Sequence, residues 1–194
     1  MSPQIDFFAA SGVPDSRLPQ GFRYQPDVIT AKEQYDLLER IRQLPFREFE
    51  FRGYTGKRRV VSFGWKYDFG DRRLLKVDDI PDYLLALRTP AAQFAGMRPD
   101  AFQHALVTEY APGAAIGWHR DKSVFGEVIG ISLLASCVFR LRRAVNDTWE
   151  RVNIVAESRS AYLLTGPSRR EWEHSIPPVD ALRYSVTFRN LREE

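Results

Sequence analysis

The sequence predicts a mostly β protein of sandwich or jelly-roll type, preceded by a helical and hairpin segment. Three observations predict it. From Phe102 onward, short strand-like runs follow one another with turn signals between them and no helical pattern intervening. Ahead of them lie two stretches of helical periodicity and one row of alternating aromatics. The 194 residues and 44% apolar content fit a single domain that can bury a core without disulfides. We expect one domain over residues 1–194, with a helical and hairpin extension over 1–100 and the β core over 101–194.

The first element opens at Thr30-Ala31-Lys32-Glu33, which has capping-box spacing. Leu37, Leu38, Ile41 and Leu44 follow with helical periodicity, and Pro45 ends it. In "FREFEFRGYTGKRRVVSFGWKYDFG", Phe49 and Phe51 alternate with charges. Arg59, Val61, Phe63, Trp65, Tyr67 and Phe69 then share one face of a strand, with Gly53 and Gly56 supplying the turn between the two. A second helix is expected over about Pro81 to Phe94, broken or restarted at Pro90. The core strands are "FQHALVTEY", "AIGWHRD", "EVIGISLL", "CVFRLRR", "ERVNIVAE", "SAYLLTG" and "LRYSVTFRN".

A single cysteine, Cys137, permits no internal bridge, and the amino terminus lacks the pattern of a secretory signal, so a cytoplasmic setting is expected. The longest apolar run, around Val128 to Ala135, is too short to span a bilayer, and a monomer without membrane contact is expected. Charge is unevenly spread. Between Arg40 and Arg73 there are ten Lys/Arg against four Asp/Glu, an excess of +6 where the whole chain has +3, so the remainder is net acidic. Such a run is either a solvated face or a surface that meets phosphates.

Chemistry concentrates in "YAPGAAIGWHRDK". His119 and Asp121 are two apart, so on a strand they point to one side and can reach one ion. A structural aspartate orienting a histidine has the same spacing. A third ligand must come from His104 or His174, and His174 follows the strand at Ala161 to Thr165 and the Gly166-Pro167 turn. Two imidazoles and a carboxylate suit non-haem Fe(II), and equally zinc. The tail bears on that choice. In "LRYSVTFRN", Arg183, Ser185, Thr187 and Arg189 share one face while Tyr184, Val186 and Phe188 share the other. A guanidinium fork suits a carboxylate, and a dicarboxylate held by arginine beside iron would be 2-oxoglutarate.

Taken together, "TEYAPGAAIGWHRDK", His174 and "RYSVTFRN" resemble the AlkB family of Fe(II)/2-oxoglutarate dioxygenases, over about Phe102 to Arg189. The resemblance implies a double-stranded β-helix, with His119, Asp121 and His174 binding iron. It implies that Arg183 pairs with the distal carboxylate of 2-oxoglutarate and that Arg189 lies near its metal-bound end. Tyr110, Ser185 and Thr187 match other positions near the co-substrate. Two positions depart from AlkB-like repair enzymes: Thr108 stands where they have asparagine, and Ser123 where they have the aspartate that reads the damaged base. The activity implied uses O2 to decarboxylate 2-oxoglutarate to succinate while an N-alkyl group on a base is oxidised and leaves as an aldehyde.

Family members cover the site with a lid built from the hairpin region, the place held here by "YTGKRRVVSFGWKYDF". Lys57, Arg58 and Arg59 would hold phosphates there, and Phe63, Trp65 or Tyr67 would offer a face to a base. Alkylated DNA or RNA, transfer RNA included, is the expected partner, with protein substrates a minority in the family. The rival readings are an idle nucleic-acid-binding module and a zinc hydrolase on a similar barrel; in the latter the paired arginines have no role.

Overall fold

The structure, a computed structural model, describes residues 18–51 and 54–192. Thirteen strands are described: β1 (Phe22–Gln25), β2 (Arg47–Phe51), β3 (Tyr54–Phe63), β4 (Trp65–Asp68), β5 (Arg73–Lys76), β6 (Phe102–Tyr110), β7 (Ile116–His119), β8 (Phe125–Leu133), β9 (Cys137–Val145), β10 (Thr148–Ala156), β11 (Ala161–Leu164), β12 (Glu173–Ile176) and β13 (Arg183–Leu191). The helices are α1 (Ala31–Ile41), α2 (Asp82–Ala95) and the single turn α3 (Gly166–Arg170).

Two antiparallel sheets form the jelly roll. One has seven strands in the order β1-β11-β8-β13-β6-β3-β2, and the other has four in the order β10-β9-β12-β7. The strand β13 sits mid-sheet with an apolar and a polar face, and the two faces go to different neighbours. Tyr184, Val186 and Phe188 join Ala105, Val107, Ile129 and Ile131 in a core completed by Leu37, Leu38 and Ile41 of α1 and Leu84 and Leu87 of α2. The other face looks between the sheets, where Val128, Phe139, Leu141, Ile154, Trp172 and Ile176 make a second core. Strands β1, β2 and β3 from the front half are hydrogen-bonded into the same large sheet.

Locally coded features form as the sequence predicts. Thr30 caps α1 with both reciprocal capping-box bonds present. Three expectations are corrected. The helix α2 runs unbroken through Pro90, because Leu84, Leu87, Ala91 and Ala92 bury one face against the sheet; packing outweighs the lost N–H bond. Gly56 lies within β3 opposite Phe49, at an irregularity in the β2–β3 pairing, and makes no turn; Gly53 lies outside the described residues. The long aromatic strand is in fact two. Gly64 has φ +74, and a Cβ there would lie 2.0 Å from the Gln103 carbonyl oxygen, so only glycine fits; the chain leaves the large sheet and starts the separate β4–β5 ribbon. Phe63 therefore packs in the helix-side core, while Tyr67 and Phe69 belong to a different surface. Among the described residues, no helix is long and apolar enough to cross a membrane.

Candidate metal and co-substrate site

Register builds the site. On β13, Arg183 lies opposite Tyr110, Ser185 opposite Thr108 and Arg189 opposite His104 of β6. On the other side, Ser185 lies opposite Ser132 and Thr187 opposite Gly130 of β8. Cross-strand partners share a face, so these polar groups line one chamber between the sheets. Thr108, Tyr110, Arg183, Ser185, Thr187 and Arg189 are all buried.

The small sheet supplies the histidines. His174 is on β12, directly opposite His119 at the end of β7, with ring centres 4.3 Å apart. Asp121 follows two residues beyond β7, in the loop, and its Oδ2 lies 3.6 Å from His174 Nε2. The Nδ1 of His119 is 2.8 Å from the Gly117 carbonyl. That carbonyl can only accept, so Nδ1 carries the proton and Nε2 keeps its lone pair. Among the described residues, no three His, Cys, Asp or Glu side chains are preformed around a common metal position, so closing the set takes a side-chain adjustment. Donor chemistry and an orphaned atom show the fit: Asp121 Oδ2 is buried with no hydrogen-bond partner. His104 is elsewhere, against Phe125 and 3.3 Å from Arg189 Nη1.

Arg189 reaches Asp121 directly. Its Nε and Nη2 donate to Asp121 Oδ1 at 2.8 and 2.6 Å. Burial opposes ionisation, but Arg189, with His174 and His119, holds the Asp121 carboxyl well below the usual range. Burial first, then the neighbouring His119, lowers His174 to about 3 from the usual 6.5; burial also lowers His119. Both rings are therefore neutral ligands at neutral pH. Between about pH 6.5 and 3 the unfolded chain binds more protons at His174 than the folded chain does, so stability falls as pH falls through that window. We expect acid titration of the metal-free protein to show this loss starting near pH 6.5. A His174→Gln variant should have a flatter curve there, and superimposable curves would contradict the burial account.

The other end of the chamber is Arg183. It is 1% exposed, donates from Nε to Ser132 Oγ at 3.2 Å, and lies 4.8 Å from the Tyr110 ring centre. Its Nη1 is buried without a hydrogen-bond partner. A buried, half-satisfied guanidinium calls for an anion.

Two residues that sequence reasoning missed complete the chamber. The ring of Tyr162 lies flat on β8 at Gly130: a Cβ there would be 2.1 Å from its Cζ, and Phe139 holds the ring at 4.3 Å. Burial, with Tyr110 and Asp121 nearby, raises the pKa of its hydroxyl. Arg169 of α3 is buried and donates to the Gly126, Lys122 and Phe125 carbonyls at 2.7–2.8 Å and to that of Asp121 at 3.3 Å. It pins the loop that presents Asp121. In "SRRE" nothing marks it as different from a surface arginine. Losing an outer support of this kind typically costs about 10–100-fold in metal affinity. We expect that loss in Arg169→Met, measured by competition with a chelator; unchanged affinity would make Arg169 a stability residue only.

The lid residues separate. Arg58 lies opposite Tyr110, half-buried, with its guanidinium 3.9 Å from the Phe49 ring centre, and burial lowers its pKa. Arg59 faces the other way, ion-paired to Glu109 at 2.6 Å, and is not brought to the chamber. Lys57 is exposed. Trp65 contacts Lys76 of the ribbon, with Nζ 5.8 Å from the ring centre. Tyr67 does come to the site. It packs edge-on to Phe69 at 5.2 Å, and Lys122, next to Asp121, lies 5.3 and 5.1 Å from the two ring centres. Ser123 is exposed in the turn that follows.

Residues 21–189 match the family model described as the 2OG-Fe(II) oxygenase superfamily. The chain belongs to that superfamily. It is thus an Fe(II)- and 2-oxoglutarate-dependent dioxygenase, with O2 as its other co-substrate. Proteins named for AlkB are among its relatives. It is 26% identical over 195 residues to the alkylated DNA repair protein ALKBH8 homolog of Arabidopsis thaliana, covering 86% of this chain and 54% of that protein. It is 30% identical over 118 residues to the alpha-ketoglutarate-dependent dioxygenase AlkB of Salmonella typhimurium, covering 54% and 51% of the two. The chain thus spans about half the length of these relatives. The solved structure of OsALKBH1 shares the fold, with a TM-score of 0.65 at 19% identity over 88% of this chain and 96% of that one.

Proposed function

We propose that this oxygenase removes alkyl groups from nucleic-acid bases, holding Fe(II) on His119, Asp121 and His174 and the distal carboxylate of 2-oxoglutarate on Arg183. One observation carries the reading of the centre: the chamber has a buried carboxylate oxygen without a hydrogen-bond partner at one end and a buried guanidinium nitrogen without one at the other. Bound iron supplies the oxidation of the alkyl carbon at the expense of 2-oxoglutarate and O2. The chain's residues bind and orient. Arg189 holds Oδ1 of Asp121 and leaves Oδ2 to the metal. Ser185, Thr187, Thr108 and Tyr110 offer hydroxyls along the co-substrate's path, and Arg183 Nη1 is the donor reserved for its far end.

Tyr162 adds a hydroxyl fixed from the opposite side by Gly130 and Phe139. A hydrogen bond to a charged ligand is worth about 1.5–3 kcal/mol. Tyr162→Phe should therefore raise the Kd for 2-oxoglutarate about tenfold or more in the Mn(II)-substituted protein. An unchanged Kd would make the ring a packing element.

The nucleic-acid substrate is supported by the lid and by the relatives. Arg58 on Phe49, and Lys122 on Tyr67 and Phe69, put cations and aromatic faces together beside the iron ligands, the combination that holds phosphates and stacks bases. The Arabidopsis relative bears the name of an alkylated DNA repair protein. A cytoplasmic setting accords with a single, buried cysteine. The test is a panel of methylated DNA, RNA and transfer-RNA oligonucleotides scored for succinate and for the aldehyde released. Stoichiometric aldehyde from one class assigns the substrate. Succinate at the uncoupled rate on every member would reject a nucleic-acid base. In that panel, Lys57→Ala/Arg58→Ala should weaken binding about equally across sequences and reduce the salt slope by up to about two phosphate contacts.

A further inference from the structure

The outer face of the four-stranded sheet has a composition that solvent does not call for. Of the exposed large apolar side chains, Val138, Trp149 and Val155 lie on this face of the β9–β10 hairpin. Val138 and Val155 are cross-strand partners, as are Arg140 and Asn153, and Arg142 and Arg151. Partners share a face, and the inward side of the same strands carries the buried Phe139, Leu141 and Ile154, so the pairs form rungs of one outward ladder. Across this ladder the Arg142 guanidinium lies over two indoles, 4.4 Å from the Trp118 ring centre and 4.1 Å from that of Trp149. Arg140 also lies over Trp118, at 5.0 Å. Three arginines, 140, 142 and 151, stand on this face, with Glu173 on Arg142 at 2.7 Å as the acid that joins them. The nearby Glu150 and Glu171 are both taken up by Arg143.

We propose that this face is a second nucleic-acid contact, which binds the single strand flanking the reacting nucleotide. The inference rests on the nucleic-acid reading of the substrate. Charge and shape favour that occupant: planar cations and indoles side by side on one sheet face match phosphates and bases, and base stacking on aromatics tolerates any sequence. Position favours it too. Trp118 directly precedes His119 on β7, the edge strand of the small sheet, so the face begins at the rim beside the metal-binding end of β7. From there Trp118, Arg142 and Trp149 lead away across the sheet. A strand leaving the mouth over the β7 edge passes the exposed Arg120 and then meets them.

The test uses Trp149→Ala/Arg151→Ala, because neither residue touches the chamber. Fluorescence anisotropy with oligonucleotides of about 4 and about 16 nucleotides, which bracket the site sizes of single-strand binders, separates the mouth from the face. The long oligonucleotide should bind the variant about tenfold or more weakly, the short one equally, and uncoupled 2-oxoglutarate turnover should be unchanged. Wild-type affinity of the variant for the long oligonucleotide overturns the face alone. Equal losses at both lengths overturn it as well, by showing general damage. If the wild type binds neither length, the substrate reading fails together with the face. A wild-type self-association that the double variant abolishes would assign the face to a second copy of the chain and overturn the proposal.

Discussion

Replacing Arg183 with alanine is expected to weaken 2-oxoglutarate binding by about 2–5 kcal/mol, thirtyfold or more. The size follows from burial: Arg183 is almost wholly enclosed, and its Nη1 has no protein partner to fall back on. Metal content should be unaffected, because Arg183 sits at the far end of the chamber from the histidines. The ligand-free variant should be no less stable than the wild type, since an uncompensated buried charge has been removed. Calorimetric titration of 2-oxoglutarate into the Mn(II)-substituted protein, with a thermal melt of each ligand-free protein, reads both. Equal affinity in variant and wild type would leave the buried guanidinium without a function.

Asp121→Ala should lose the metal and also destabilise the protein. The carboxylate is 6% exposed and takes two bonds from Arg189, so its removal strands a buried cation. Breaking such a pair costs about 3–5 kcal/mol, which is roughly 6–20 °C in Tm for a chain of this size. A double variant, Asp121→Ala/Arg189→Met, separates the two roles. It should recover most of the melting temperature and none of the metal. If metal binding returned with stability, Asp121 would be a structural partner of Arg189 and not a ligand.

What was legible in the sequence was what depends on short range. The capping box at Thr30 needs three residues, and the two faces of β13 need only period-2 alternation. Residue patterns alone leave His104 and His174 as candidates beside His119, and the family resemblance implies His174; the structure supplies the register that puts His174 opposite His119. Arg59 shows how far alternation reaches. It shares a face with Val61 and Phe63, and since that is the helix-packed face, Arg58 is the arginine that turns to the chamber. Gly64 interrupts the aromatic row because the Gln103 carbonyl approaches it, and a glycine within a strand pattern is the signal for such an approach. No local pattern announces Arg169, Tyr162 or the Arg189–Asp121 pair. Each acts across a sequence separation of 30 residues or more, through an arrangement fixed only when the two sheets close.

We assign the Asp121 oxygen and the Arg183 nitrogen that lack hydrogen-bond partners to the two ends of one iron and 2-oxoglutarate site. The deciding measurement is an anaerobic crystal structure with Fe(II) and 2-oxoglutarate, with iron located by its anomalous scattering. It should show one iron within about 2.0–2.2 Å of His119 Nε2, His174 Nε2 and Asp121 Oδ2, with the distal carboxylate of 2-oxoglutarate on Arg183 Nη1. An iron held elsewhere, or a co-substrate carboxylate that leaves Arg183 unpaired, would contradict the assignment.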